Sequence, residues 1–331
     1  MADTQRVIYC SPDWERKGGT LWPISRLLQT FGNVKCETYT RQKKGVYLGH
    51  NTLDETVSKR MRRVVFLGGA RPGDHGIPRD FNWNKADHCV FISNFFRKIA
   101  KSRYDIPRSS AIHLVGGSPH DMDMVPKPPF TQSLSPADEI HFMICAKWRK
   151  RYFKRYKQHL MLFDRIKKEY PNAKLHILGT EAKKINEGEG GIIGYPKNFH
   201  DDTCKNVYQK AHIHLILTPF DTGPMTVNES LHYRVPFICG NNSAAGEFIS
   251  MVDGTPGIVV KIDPQIKTAS DCKKYKPMKN RKFYNRIVDF DLVMQSVREM
   301  VANYSTYVSW TWTEEFNYQA QCKKWLDVLF C

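Results

Sequence analysis

The sequence predicts an α/β protein of two doubly wound domains, and three observations carry that prediction. Short apolar runs alternate with amphipathic stretches, the pattern of strands followed by helices in a largely parallel sheet. Between Met124 and Glu139 the stretch MVPKPPFTQSLSPADE holds four prolines in sixteen residues and no apolar periodicity, so it reads as an interdomain linker. A chain of 331 residues has room for two domains of about 150 residues each. The expected division is 1–130 and 131–307, with a closing helix at about 308–331 that returns to the first domain.

In the first half, strands are expected at Arg6–Cys10, Val34–Thr38, Val64–Gly68, Val90–Ser93 and Ile112–Gly116. In the second they are expected at Ile140–Ala146, Lys174–Gly179, Ile213–Pro219, Phe237–Gly240 and Gly257–Ile262. Each run is short and is followed by an amphipathic stretch, as strands followed by helices in a largely parallel sheet are. Helices fill the intervals. In Gln158–Tyr170, Leu160, Phe163, Ile166 and Tyr170 recur at helical spacing and Pro171 ends the segment. The tail from Asp289 is expected to be helical throughout. Its aromatic cluster YVSWTWTEEFNYQAQCKKWLDVLF is too apolar to stay in water, so it is expected to pack back across the domains.

Composition narrows the function. Fifty Lys and Arg against 33 Asp and Glu leave a net charge of +17, which attracts a nucleic acid, an anionic membrane surface or a phosphorylated ligand alike. No stretch reaches the ~18 apolar residues of a membrane span, and the first residues, MADTQRVIYCSPDW, lack an apolar signal region, so a cytoplasmic protein is expected. Nine scattered cysteines form no Cys-x-x-Cys pair and read as reduced, buried thiols.

The segment HIHLILTPFDTGPMTVNESLHYRVPFICGNNSAAGEFI carries the most chemistry. A strand ending at Pro219 gives way to a turn with Asp221, Gly223 and Pro224. A helix starting near Met225 and Thr226 then carries Glu229. Such a turn aims backbone N–H groups and the positive helix end at one spot, which suits a phosphate. A carboxylate one turn into the helix can accept hydrogen bonds from ribose hydroxyls, and one at the strand end can reach an attached sugar. Downstream, Pro236 opens the next strand and Glu247 closes the small-residue turn Ser243–Gly246.

This segment resembles the signature of retaining glycosyltransferases of family 4, in which a Glu, seven residues and a second Glu follow a strand ending in Pro. Asp221 takes the first Glu position, Pro224 the Gly/Pro position and Glu229 the second Glu. In that family an Arg and, five residues later, a Lys neutralise the donor diphosphate. The matching residues are Arg149 and Lys154, with Arg151 and Lys150 as alternatives of near register, while Trp148 and Arg155 stand where the family has glycines. Gly18 and Gly19, after the first strand, are similar to the family's Gly-Gly loop beside the donor. His75, in GGARPGDHG, takes the place of its N-terminal-domain His near the transferred sugar.

The resemblance implies a GT-B fold: two Rossmann-like domains facing across a cleft, the second binding nucleotide, and a C-terminal helix crossing back. It implies retaining transfer of a hexose from a nucleoside-diphosphate sugar, with GDP-mannose the first choice and a UDP-sugar the second, to a glycan or glycoprotein acceptor. The resemblance also implies that no metal or other cofactor is required. Asp121-Met122-Asp123 matches the Asp-x-Asp metal motif of the other large glycosyltransferase fold, but it abuts the linker and is read as an exposed loop. The compact, Lys-rich chain also resembles glycosyltransferases encoded by large DNA viruses such as chlorella viruses. Two alternatives stand beside this reading, a DNA-modifying glycosyltransferase and a non-catalytic basic nucleic-acid-binding protein. An anionic surface, nucleic acid and a homodimer remain open as partners.

Overall fold

The computed structural model describes residues 5–12, 14–15, 21–50, 53–67, 85–102, 133–146, 148, 154–179, 189–195, 202–268, 270–271 and 288–331. The chain divides into two compact units. One comprises Met1–Met122, Lys267–Lys274 and Thr313–Cys331, the other Asp123–Ile266 and Tyr275–Trp312.

The first unit opens with β1 (Arg6–Cys10), α1 (Leu21–Phe31), β2 (Val34–Thr38), β3 (Gly45–His50), β4 (Met61–Leu67), β5 (His88–Phe91) and α2 (Asn94–Lys101). Its five strands are parallel in the order β2-β1-β3-β4-β5. Leu21, Ile24, Leu27 and Leu28 put one apolar face of α1 into the core. Ser93 caps α2 by accepting from Phe96 N–H at 3.0 Å. The sequence reading places the start of β4 at Val64, three residues late, because Arg62 and Arg63 look like loop. Both are satisfied in the strand: Arg62 Nε donates to Val328 O, and Arg63 reaches both carboxylate oxygens of Asp87. The sequence reading also omits β3, a central strand, and its expected strand Ile112–Gly116 lies outside the described residues.

The second unit contains β6 (His141–Cys145), α3 (Tyr156–Glu169), β7 (Lys174–Leu178), β8 (Ile192–Tyr195), α4 (Asp202–Lys210), β9 (Ile213–Ile216), α5 (Met225–His232), β10 (Phe237–Gly240), α6 (Ala245–Ile249), β11 (Val252–Asp253) and β12 (Gly257–Val260). It closes with α7 (Phe290–Ala302), α8 (Tyr304–Val308) and β13 (Thr311–Trp312). Six strands are parallel in the order β12-β10-β9-β6-β7-β8. Every residue of β9 and β10 is buried, as a central strand between helical layers requires. Val293, Met294, Val297, Met300 and Val301 of α7 join Leu162, Phe163 and Ile166 of α3 in one apolar core.

The expectation of a wholly helical tail is corrected: β13 interrupts it, pairing antiparallel with β11. The last helix, α9 (Tyr318–Phe330), starts ten residues later than the expected 308, capped by Asn317, whose side chain accepts from Ala320 N–H. It belongs to the first unit, where Trp325 meets Phe66 edge-on at 5.7 Å. Among the described residues no helix is long and apolar enough to cross a membrane. Described cysteines are free thiols, all buried except Cys331.

Candidate functional site

In the second unit the chain moves from β6 to β7 and β8 on one side, and to β9, β10 and β12 on the other. Strand order therefore reverses between β6 and β9, and loops leaving their carboxyl ends diverge to open a crevice. Lys154, on the segment after β6, and Asp221, on the segment after β9, meet there although 67 residues separate them. Lys154 Nζ donates to Asp221 Oδ2 at 3.1 Å, with side chains 22% and 20% exposed. That exposure leaves the pair within reach of a solute.

Asp221 is fixed from three directions. Its N–H donates to Asn242 O at 3.1 Å, its C=O accepts from Ala244 N–H at 2.9 Å, and Oδ1 accepts from Gly223 N–H at 3.2 Å. Pro224 is the N-cap of α5, and Met225 and Thr226 form its first turn, where a helix offers amides without intrahelical acceptors. Glu229, one turn in, is only 6% exposed and accepts from Tyr208 Oη at 2.8 Å. Burial pushes its carboxyl up to about 7, opposed by the Tyr208 hydrogen bond. Tyr208 is itself stacked on Tyr233 at 4.9 Å. Burial also holds the nearby Cys145 thiol well above its ordinary range, so it stays protonated.

Arg155, next to Lys154, turns the other way. It is wholly buried and clasps Asp263 through two bonds, Nη1 to Oδ2 at 2.8 Å and Nη2 to Oδ1 at 2.5 Å. Nη1 also reaches Leu217 O at 3.2 Å. Its backbone sits at φ +53°, in the left-handed region that favours glycine. His159 ties the same loop down, its Nδ1 paired with Arg155 O at 2.9 Å while Nε2 accepts from Leu217 N–H at 3.3 Å. Burial lowers the His159 pKa to about 4, so the ring is neutral and can fill both roles. Trp148 donates to Leu178 O at 2.7 Å and packs edge-on against Tyr156.

Of the residues singled out in sequence, the structure joins Lys154 to Asp221 and sets Gly223, Pro224, Met225, Thr226 and Glu229 on the adjoining turn and helix. Gly18, Gly19, His75, Arg149, Lys150 and Arg151 lie outside the described residues, as does Asp121-Met122-Asp123. Sequence reasoning misses Tyr208, Asp263, Asn241 and Asn242. Asp263 carries a faint signal, a carboxylate one residue past an expected strand, whereas nothing local marks Tyr208. Among the described residues no group of three or more His, Cys, Asp or Glu is arranged to hold a metal ion.

No protein-family model matches the sequence, and no curated protein matches it. Solved structures do. The lipopolysaccharide outer core galactosyltransferase WaaB superposes with a TM-score of 0.50 at 13% identity, over 98% of this chain and 99% of WaaB. S. aureus TarM, solved as a variant with fondaparinux, alpha-GlcNAc-glycerol and UDP, gives 0.54 at 13%, over 88% of this chain and 56% of TarM. The trehalose-6-phosphate synthase OtsA gives 0.50 at 10%, over 96% and 82%. The chain thus spans little more than half of TarM, and 57% of the pneumococcal O-GlcNAc transferase GtfA. These likenesses establish the fold: the chain is a GT-B protein with two Rossmann-like domains.

Proposed function

We propose that this protein is a glycosyltransferase that moves a hexose from a nucleoside-diphosphate sugar to a glycan or glycoprotein hydroxyl with retention of configuration. The observation that carries the reading is the meeting of Lys154 with Asp221 at the strand-order reversal of the second sheet. Parallel α/β sheets bind ligands at that place, and these residue types are the ones a diphosphate sugar needs. The left-handed backbone of Arg155, where the family 4 pattern has glycine, supports the register that assigns Lys154.

In this reading Lys154 and Arg149 neutralise the diphosphate, and the first-turn amides at Met225 and Thr226 add backbone donors. Glu229 accepts from the ribose hydroxyls, and Asp221 from a hydroxyl of the transferred sugar. His75 and the Gly18-Gly19 loop serve the sugar from the first domain. As the bond from C1 to the phosphate oxygen breaks, its electron pair passes to the diphosphate, and the cations stabilise that growing charge most in the transition state. The acceptor oxygen bonds C1 on the same face and yields its proton to the departing phosphate. No protein nucleophile takes part. GDP-mannose is the first donor candidate and a UDP-sugar the second, the latter in keeping with the UDP bound in TarM.

A thermal-shift panel of GDP, UDP, ADP and their sugars tests the reading. A ligand at 100 times its Kd adds about 2.7 kcal/mol to the stability of the state that binds it. One nucleotide class should raise Tm by several degrees, and a panel without any shift would overturn the proposal.

A further inference from the structure

The buried pair of Arg155 and Asp263 is an unusual expense. Replacing a buried ion pair with apolar side chains of similar volume is often neutral or stabilising, so the pair is weak evidence of a stability device. Its backbone conformation adds a further cost, since a long side chain at φ +53° is strained where glycine is not. What the arrangement supplies is fixity in a particular loop.

Five hydrogen bonds tie Arg155 down. Two run to Asp263, one to Leu217 O, and two join its own carbonyl to the ring and the backbone N–H of His159. Asp263 is anchored in turn by a reciprocal pair with Asn241, whose Nδ2 donates to Asp263 O at 2.9 Å and whose Oδ1 accepts from Asp263 N–H at 3.1 Å. The next residue, Asn242, gives its carbonyl to Asp221 N–H and spans Pro264 and Ile266 with its side chain. Asp221 then meets Lys154. The contacts close a ring through the segments that follow β6, β9, β10 and β12. Lys154 sits on the accessible side of one peptide whose other residue is locked in the core. Lysine has a long flexible stem, and ordering it costs entropy each time it engages an anion.

We propose that Arg155, through Asp263, is a positioning residue that presets the Lys154 ammonium for the diphosphate. The inference rests on the reading of Lys154 as a diphosphate contact. It predicts coupling between neighbours that point in opposite directions: Arg155 matters to nucleotide affinity only while Lys154 is present.

A double-mutant cycle tests this. Calorimetric titration with UDP and with GDP is run on the wild type, Lys154→Ala, Arg155→Met and the double variant, with a thermal melt of each. Lys154→Ala should weaken the bound nucleotide by roughly tenfold or more. Arg155→Met should weaken it by about three- to tenfold in the wild-type background and by less than about twofold in the Lys154→Ala background. Equal losses in the two backgrounds would mean a merely structural role and overturn the proposal, as would no loss in either. Full affinity in Lys154→Ala, or no binding of either nucleotide by the wild type, would instead overturn the site reading beneath it and the proposal with it. Should Arg155→Met leave Asp263 unpaired and fail to fold, Arg155→Met/Asp263→Leu removes both charges and takes its place in the cycle.

Discussion

Glu229→Gln should stabilise the protein at neutral pH while weakening its hold on nucleotide. The carboxyl ordinarily titrates near 4.5, and its folded environment raises that to about 7. A raised carboxyl pKa means that the folded state binds the proton more tightly than the unfolded one. Its stabilising contribution is complete below pH ~4.5 and is lost as pH rises to about 7 and beyond. Two and a half units at about 1.4 kcal/mol each amount to about 3 kcal/mol at pH 7 and above. The glutamine amide would be neutral throughout and could still accept from Tyr208, so the variant should avoid that loss. For a unit of this size about 3 kcal/mol corresponds to roughly 6–12 °C in Tm. The assay is thermal denaturation of wild type and variant at half-unit steps from pH 4 to 8. The two curves should lie together near pH 4.5 and separate progressively as pH rises. Parallel curves, or a variant less stable at pH 8, would refute the claim that Glu229 is held in an environment hostile to its charge.

Asp221→Asn removes the carboxylate charge but keeps an oxygen that can accept from Lys154, so it should lower kcat by roughly tenfold or more while changing nucleoside-diphosphate Kd by less than about threefold; steady-state kinetics beside calorimetry separate the two. Arg149→Ala should cost roughly 1.5–3 kcal/mol of nucleoside-diphosphate affinity if Arg149 makes a charge-assisted phosphate contact, and calorimetry reads the loss. Gly179→Ala should destabilise by more than about 2 kcal/mol, because a Cβ there would lie 2.0 Å from Ala146 O and 2.7 Å from Trp148 Cδ1, on a backbone at φ +138°. A melt within about two degrees of wild type would contradict the close packing of the β6 and β7 ends.

Residue patterning tells most about the elements and least about their company. The sequence pattern locates β1, β2 and β10 to the residue: β10 is buried along its whole length, whereas β2, at the sheet edge, alternates buried Val34 and Cys36 with exposed Lys35. β8 escapes notice because Ile192–Tyr195 emerges from the glycine-rich stretch EGEGG, which reads as loop, and it lies at the sheet edge. β3 escapes it although central, since Lys43-Lys44 leads into it and only Val46, Tyr47 and Leu48 stand between its two glycines, a composition that reads as a turn. The tail reads as one helix because β13, two residues long, is too short for its period-two spacing to stand out from the apolar pattern on either side.

The α/β alternation, the turn from Asp221 to Thr226 and its helix carrying Glu229 are set by residues within a few positions of one another. Long-range packing is what brings Lys154 to Asp221 and Tyr208 to Glu229, and what turns Arg155 inward to Asp263 across 108 positions. The reason is physical: periodicity records which face of an element avoids water, whereas strand order depends on which buried surfaces fit one another. Local spacing carries no trace of that choice.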